Sequence, residues 1–266
     1  MLTTVLFDMG GTLEDIWHNE ETKQKALQCV WDTLRAHGLD PGVDFSRFQE
    51  LVLAGIREYK TWCDLEFREK KPEEIWPEYY LKAFNFDRRA LTGICEELAN
   101  MWECTYFHRE LRPGVREMLA GLKARGYHIG VISNNASLYN VFNVLEEYGI
   151  RDYMEDVEVS SITGYRKPHP EIFRISMKQM RERAENCVYV GDTMSRDVIG
   201  SKEFGFGKAV YIQSFLSAQK DVGVSSSIQP DVIIQRMDEL VLWLDSVNPI
   251  SPKSVFTLQV NSNIYS

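Results

Sequence analysis

The chain begins with a short apolar run, Thr4 to Phe7, which has no helical period and is followed by Asp8 and two glycines. Such a run, closed by Gly10 and Gly11, predicts a buried strand that ends in a tight turn. A strand that is buried on both faces is typical of a parallel sheet, where ligands bind at the carboxyl ends of the strands. Asp8 falls at that end, where a carboxylate can attack an electrophile or hold a metal ion.

The pattern changes to a helical period after Asp15. Asn19 is a predicted N-cap, because it precedes two glutamates and then a stripe of apolar residues. Apolar positions repeat at helical spacing in four segments, around Leu27–Leu34, Phe48–Tyr59, Trp76–Phe84 and Leu91–Trp102. With no convincing strand between His18 and His108, residues 16–108 are predicted to be an all-helical insertion of roughly ninety residues, long enough to form a small domain.

From Leu111 onward, short apolar runs alternate with helical segments. Strands are predicted at Tyr127–Ile132, Val157–Val159, Cys187–Val190, Ala209–Ile212 and Val232–Ile234. This alternation predicts an α/β fold with a doubly wound parallel sheet, formed by residues 1–15 and 109–247. Residues 248–266 are expected to be either a disordered tail or an added edge strand, since apolar and polar residues alternate around Leu258.

The composition narrows the classes of partner. Lys and Arg total 30 against 39 Asp and Glu, a formal charge of −9, which argues against nucleic acid or an anionic membrane as partner. Five scattered cysteines without metal-ligand spacing predict reduced thiols in a cytoplasmic protein. No apolar run is long enough to span a bilayer, and the start does not resemble a signal peptide. The oligomeric state leaves no signal in the pattern.

Polar residues of complementary chemistry follow the predicted strands. Asp8 follows the first strand, Ser133 and Asn134 follow the second, Asp192 follows a later one, and Lys167 precedes a helix. The two carboxylates suit Mg²⁺, the two neutral side chains can donate to phosphate oxygens, and the lysine can neutralise a phosphoryl group. Each residue alone has a structural explanation, such as a helix cap or a solvated turn. Together, they are what phosphoryl transfer through an aspartyl phosphate requires.

Four further residues extend this pattern. Gly10 and Gly11 allow a substrate to approach the backbone closely, and Thr12 adds a hydroxyl donor for a phosphate group. Asp197 lies five residues after Asp192, where it can support the same site, pair with a cation or cap its own helix.

The segments DMGGT (8–12), SN (133–134), RKPHPEIF (166–173) and GDTMSRDVIG (191–200) resemble the four motifs of the haloacid dehalogenase superfamily. The resemblance extends to about Leu244, and the helical insertion is similar to the type-one cap on the Rossmann-like core of that superfamily. It implies that Asp8 is the nucleophile and that Ser133 and Lys167 bind the phosphoryl group. It also implies that Asp192 binds Mg²⁺.

The same resemblance implies two supporting roles around the metal. Gly10 would ligate Mg²⁺ through its backbone carbonyl, and Asp197 would support the metal shell. The expected substrate is a small phosphorylated metabolite.

One position departs from the family pattern. Phosphatases of this superfamily usually carry a second aspartate two residues after the nucleophile, as general acid and base, and here that residue is Gly10. Such a group is worth about 10²–10⁴-fold in rate, or roughly 3–5 kcal/mol of barrier. One interpretation is a Mg²⁺-dependent phosphatase whose substrate has a good leaving group, or whose acid is Glu14, His18 or His108. A second is a 2-haloacid dehalogenase, although those enzymes use no metal and this chain retains Asp192. A third is a catalytically impaired phosphate-binding or regulatory protein.

Overall fold

The computed structural model describes residues 1–248, so the predicted tail, 248–266, lies outside the described residues except for Asn248. The strands in this range are β1 (Thr4–Phe7), β2 (Glu14–Trp17), β3 (His108–Leu111), β4 (His128–Ser133), β5 (Asp156–Val159), β6 (Cys187–Gly191), β7 (Lys208–Ile212) and β8 (Val232–Ile234). Six of them form one parallel sheet in the order β5-β4-β1-β6-β7-β8. This sheet confirms the predicted doubly wound α/β fold.

The helices are α1 (Glu20–Ala36), α2 (Phe45–Glu66), α3 (Pro72–Ile75), α4 (Arg88–Thr92), α5 (Cys95–Tyr106), α6 (Val115–Ala124), α7 (Asn140–Glu147), α8 (Ser160–Thr163), α9 (Pro170–Met180), α10 (Gly200–Phe204), α11 (Ser217–Lys220) and α12 (Asp238–Val247). Two π-helical turns, Trp76–Tyr80 and Met194–Ile199, continue α3 and precede α10. Within residues 1–248, none of these helices is long and apolar enough to cross a membrane.

Strand β1 occupies the centre of the sheet, as its continuous apolar run predicts. All four of its residues are buried, and Phe7 pairs with Val131 of β4 on one side and Val190 of β6 on the other. Alternate side chains enter two hydrophobic cores: Val5 packs with α6, α7 and α12, whereas Leu6 packs with α9. Because β1, β4 and β6 run in register, the residues that follow them meet at one edge of the sheet.

The helical segment between β2 and β3 has a hydrophobic core of its own. Leu27 and Leu34 of α1, Phe48 of α2 and Leu98 of α5 are fully buried in this cluster. Helix α1 begins as predicted, since the Asn19 side chain accepts a hydrogen bond from the Thr22 amide and the Asn19 amide donates one to the Thr22 hydroxyl. The predicted fourth helix is interrupted instead: α4 ends at Thr92, and α5 starts only at Cys95.

Strands β2 and β3 were not expected, and the prediction of helix directly after Asp15 is wrong. They form an antiparallel pair in which Trp17 is opposite His108, and these two rings stack at 4.6 Å. Each strand has only four residues, and β3 alternates between exposed and half-buried positions without an apolar run. Their pairing joins residues about ninety positions apart, so the local pattern carries little information about it. The chain leaves the sheet region and returns to it through this two-stranded ribbon.

Candidate active site

Asp8 and Lys167 form a buried ion pair at the carboxyl end of β1. The Lys167 ammonium lies 2.6 Å from Asp8 Oδ1 and 2.8 Å from Asp197 Oδ1, and it also donates to the Tyr189 hydroxyl at 2.9 Å. Only 2 % of the lysine side chain is exposed. Burial alone would lower the pKa of Lys167, but the two carboxylates outweigh it and raise this pKa above its usual range. The lysine therefore remains a fixed positive charge beside Asp8.

Asp192 and Asp197 complete a cluster of three carboxylates with Asp8. One oxygen from each lies within 4.8 Å of the others, and all three residues are buried. Asp192 Oδ2 accepts from the Ser214 hydroxyl at 2.5 Å, whereas Asp192 Oδ1 is buried and has no hydrogen-bond partner among the described residues. Burial raises the pKa of Asp192 above its usual range; the Lys220 ammonium, 3.9 Å from Oδ1, opposes this shift, and the neighbouring carboxylates add to it. A buried carboxylate oxygen that accepts no hydrogen bond from the described residues and lies among other carboxylates fits a hard divalent cation.

Asp197 has a different set of partners. Its Oδ2 accepts from the Thr193 amide at 3.0 Å and the Thr193 hydroxyl at 2.5 Å, while Oδ1 accepts from Lys167. Burial would raise the pKa of Asp197, but the Lys167 ammonium and these hydrogen bonds lower it below its usual range. Asp197 therefore orients Lys167 and closes the turn after β6.

Ser133 and Asn134, at the end of β4, both line the cavity but differ in their partners. Ser133 is buried and lines the cavity above Asp8. Asn134 also lines it, but its amide nitrogen donates to the Lys167 carbonyl at 3.1 Å and its oxygen accepts from the Lys167 amide at 2.8 Å. The amide that was expected to donate to phosphate thus also holds the backbone of the lysine loop.

Of the three residues in the turn after Asp8 that were predicted to belong to the site, only one lines the cavity. Gly10 lines the cavity, whereas Gly11 and Thr12 are buried beneath the surface that lines it. Gly11 has a φ of +94°, and a Cβ there would lie 2.7 Å from Asp192 Cγ, so this position requires glycine. The Thr12 hydroxyl is buried without a hydrogen-bond partner among residues 1–248.

A cavity of about 610 Å³ lies between the sheet edge and the helical segment, with Asp8, Ser133 and Lys167 in its wall. This size is typical of a small-molecule site. The opposite wall includes Lys23 of α1, Leu53, Ile56 and Tyr59 of α2, Tyr80 of the π-helical turn after α3, and Trp102 and Tyr106 of α5. The helical insertion therefore covers the carboxyl end of the sheet.

The residues proposed as substitutes for the missing acid are in three different environments. His18 lines the cavity and stacks on Tyr106 at 4.9 Å. His108 is exposed on the ribbon. Glu14 is fully buried, pairs with Arg109 and accepts from the Tyr148 hydroxyl at 3.0 Å. Burial raises the pKa of Glu14 despite the adjacent guanidinium.

Two ion-pair networks at the cavity were not predicted from the sequence. Arg109 joins Glu14 of the ribbon to Glu103 of α5. Arg166, next to Lys167 in the chain, pairs with Glu69, whose side chain is fully buried and also accepts from the Ser160 hydroxyl at 2.9 Å. In the sequence, Glu14 lies 95 residues from Arg109 and Glu69 lies 97 residues from Arg166, so no local pattern indicates these two pairs. Only the segment RKPHPEIF, which contains Lys167, indicated that Arg166 was near the site.

Comparisons with known proteins agree with this geometry. The family model described as haloacid dehalogenase-like hydrolase matches residues 2–205. The chain is 26 % identical over 248 residues to a glyceraldehyde 3-phosphate phosphatase of Pyrococcus furiosus, covering 93 % of this chain and 95 % of that protein. It is 28 % identical over 221 residues to a ribulose-1,5-bisphosphate 5-phosphatase of Halopiger xanaduensis, covering 79 % and 85 %.

A similar fold is found in the crystal structure of a 2-haloacid dehalogenase from Pseudomonas syringae pv. Tomato DC3000. The TM-score is 0.64 at 20 % identity, and the match covers 91 % of this chain and 99 % of that chain. The matched family segment contains Asp8, Ser133, Lys167 and Asp192, the residues that meet at the sheet edge. The chain belongs to the haloacid dehalogenase-like hydrolases.

Proposed function

We propose that the protein is a Mg²⁺-dependent phosphatase that hydrolyses small phosphate monoesters through an aspartyl phosphate at Asp8. The observation that carries this proposal is the position of the buried Lys167 ammonium, which lies between two carboxylates and 2.6 Å from Asp8. At the same edge of the sheet, Asp192 Oδ1 is buried and has no hydrogen-bond partner among residues 1–248. The relatives named as phosphatases support the same reaction class. We also propose the division into an α/β core (1–15 and 109–247) and a helical cap (16–108), since each part has its own hydrophobic cluster.

The chain's own residues account for both steps of the reaction. An Asp8 oxygen attacks phosphorus, a new P–O bond forms, and the bond to the leaving-group oxygen breaks with its electron pair departing on that oxygen. Lys167 and Ser133 hold the phosphoryl oxygens during this transfer. Water then attacks the phosphorus of the acyl phosphate, releases inorganic phosphate and restores the Asp8 carboxylate.

The residues around Asp192 fit a magnesium ion. Asp8, Asp192 and the Gly10 carbonyl would hold it, with Asp197 outside the coordinating set because its oxygens are bonded to Lys167 and Thr193. When bound, Mg²⁺ supplies charge neutralisation for the transferring phosphoryl group.

Gly10 limits the substrate range of the proposed enzyme. No side chain extends from this position into the cavity, so the leaving oxygen departs without the usual adjacent carboxylic acid. Aryl and acyl phosphates, whose leaving groups are weak bases, are therefore the substrates expected to turn over fastest.

A substrate screen tests this function. Aryl, acyl and alkyl phosphates are offered with and without Mg²⁺, alongside 2-haloacids. We expect Mg²⁺-dependent phosphate release that falls about 10⁴-fold in Asp8→Asn and is unchanged in Asp32→Asn, a control on the exposed face of α1. Acid quenching should trap the phosphoryl group on Asp8.

Three results would contradict the proposal. Near wild-type turnover by Asp8→Asn would remove the covalent step. Metal-independent release of halide from a 2-haloacid would favour the dehalogenase interpretation, and phosphate binding without turnover of any ester would favour a regulatory protein.

A further inference from the structure

The cavity is lined by more positive groups than one phosphoryl group requires, although the chain as a whole is acidic. Most of these cations already lie against carboxylates. The pairs are Arg109 with Glu14 and Glu103, Arg166 with Glu69, Lys167 with Asp8 and Asp197, Arg196 with Asp64, and Lys220 at 3.9 Å from Asp192. Their charge is largely balanced by the protein itself.

Two lysines of the helical segment differ from this group. Lys60 of α2 lines the cavity and makes no ion pair with any residue of the described range. Lys23 of α1 also lines it, and its acidic partner is Glu20, whose side chain is 68 % exposed. Neither lysine is paired with a carboxylate inside the cavity.

The two lysines come from different helices and converge on the same part of the wall. Both act on His18, which also lines the cavity: burial lowers the pKa of this imidazole, and the positive charges of Lys60 and Lys23 lower it further. The neutral form of the histidine is therefore favoured near pH 7, and the positive charge on this wall comes from the two lysines. Two positive charges that have no carboxylate partner inside the cavity favour the binding of an anion.

The rest of the helical wall is suited to an uncharged part of a ligand. Leu53, Ile56, Trp102 and Phe107 line it, with the Tyr106 ring beside His18. The phosphoryl site lies on the opposite side of the cavity, at the sheet edge. A ligand that fills this space would carry negative charge at both ends.

We propose that Lys23 and Lys60 form a second anion site, and that the substrates are phosphate monoesters with another anionic group at the end remote from the scissile phosphate. This inference rests on the proposed phosphatase function, because it takes Asp8 as the point of phosphoryl transfer. The second group is a carboxylate or a second phosphate, which share the charge that these lysines recognise.

A charge-matched pair of substrates tests the site. 4-Carboxyphenyl phosphate and 4-carbamoylphenyl phosphate have similar shapes and differ in charge at the remote end. The measured quantity is the ratio of their kcat/KM values within each protein, so that the leaving-group difference cancels between proteins. 1,4-Phenylene bisphosphate, compared in the same way, distinguishes a second phosphate from a carboxylate.

Two double variants are compared. The first pair is Lys23→Gln with Lys60→Gln, and the control pair is Lys25→Gln with Arg57→Gln. The control pair removes two exposed positive charges from the same two helices, but neither residue lines the cavity. We expect the first pair to reduce the ratio by about tenfold, mainly through KM, because each partly exposed charge contributes up to about 1 kcal/mol. The control pair should leave the ratio unchanged. The preference should also weaken as salt is raised, which a purely structural role of the lysines would not produce.

The outcomes separate this inference from the proposed function. If wild-type protein turns over both aryl phosphates and the lysine variants do not change the ratio, the second anion site is refuted while the phosphatase function stands. If no ester is turned over, the phosphatase function fails. In that case, the anion site is tested by calorimetry, which compares the affinity for 4-carboxybenzylphosphonate with the affinity for its carbamoyl analogue. Tighter binding of the carboxylate that the lysine variants abolish supports the second anion site, and equal binding of the two compounds refutes it.

Discussion

Restoring a carboxyl group at Gly10 is the sharpest test of the chemistry inferred for this site. The backbone at Gly10 lies outside the left-handed region, so a side chain is conformationally allowed there. A Cβ would lie 3.3 Å from Ile16 Cδ1 and 3.6 Å from Glu14 Oε1. The isoleucine methyl can move by a few tenths of an ångström, so we expect Gly10→Asp to fold with a stability loss of about 1–2 kcal/mol. By contrast, Gly11→Asp should not fold stably, because its Cβ would lie 2.9 Å from Ser214 Oγ on a backbone with positive φ.

The expected gain depends on the basicity of the leaving group. An alkoxide leaving group needs a proton as the P–O bond breaks, and a positioned carboxylic acid is worth about 10²–10⁴-fold in that step. A nitrophenolate leaves readily without one, so its gain should be small. The nearby Glu14 carboxyl favours the protonated form of the new acid, while Arg109 opposes it. We therefore expect turnover of a sugar 6-phosphate to increase about 10²-fold in Gly10→Asp, and turnover of 4-nitrophenyl phosphate to change by less than about tenfold.

Rapid-quench kinetics on both substrates measures this effect. In the wild-type protein, a burst of leaving group followed by a slow steady state is expected with the aryl phosphate, since the group that usually activates water is also absent. Gly10→Asn is the control, because it has the same shape as the aspartate and cannot donate a carboxyl proton. The reasoning is refuted if wild-type protein hydrolyses alkyl and aryl phosphates equally fast without a burst. It is also refuted if Gly10→Asn increases alkyl turnover as much as Gly10→Asp does.

Three further predictions concern the metal, the contact between the two parts, and pH. Asp192→Asn should weaken Mg²⁺ binding at least about tenfold by calorimetry, and chelation should abolish phosphatase activity until Mg²⁺ is restored. Glu69→Ala should lower the free energy of unfolding, measured by urea denaturation, by about 3–5 kcal/mol, because it leaves the Arg166 guanidinium without its buried partner. The control Glu50→Ala, which breaks an exposed ion pair, should lower it by less than about 1 kcal/mol. Burial raises the pKa of Glu158 to about 7 from 4.5, so the native state binds the proton more tightly and stability falls as pH rises between these values. Glu158→Gln should therefore be more stable than wild type by about 1–2 kcal/mol at pH 8 and nearly equal at pH 4, and equal effects at both pH values would contradict this assignment.

The sequence predicted the elements whose signals are local. The buried run of β1 and the Asn19 cap of α1 follow from a few adjacent residues, and both occur where the pattern places them. The ribbon of β2 and β3 could not be predicted in this way, because its stability comes from cross-strand contacts such as Trp17 with His108 rather than from either strand's own pattern. Gly93, between α4 and α5, gives a local reason for the break that periodicity alone overlooked.

The same distinction applies to the site. Asp8 was identified because it follows a buried strand, and Lys167 because its charge and its motif suit a phosphoryl group; the structure brings them to 2.6 Å. The partners of Asn134 were missed, since a hydrogen-bonded pair with the Lys167 backbone depends on how two loops meet. Glu69 was also missed, because an isolated glutamate in a charged stretch has no pattern that indicates burial.

The charges at the sheet edge explain why the proposed metal and the proposed substrate belong to the same site. Asp8, Asp192 and Asp197 form a buried cluster that faces two ammonium groups: Lys167 contacts Asp8 and Asp197, and Lys220 lies 3.9 Å from Asp192. Three carboxylates against two ammonium groups leave the cluster with a net negative charge, which is unfavourable at low dielectric. A divalent cation balances that excess and also allows a phosphate dianion to approach a carboxylate nucleophile. The substrate's charge is then met by the metal, by Lys167 and, in our proposal, by the lysines on the far wall.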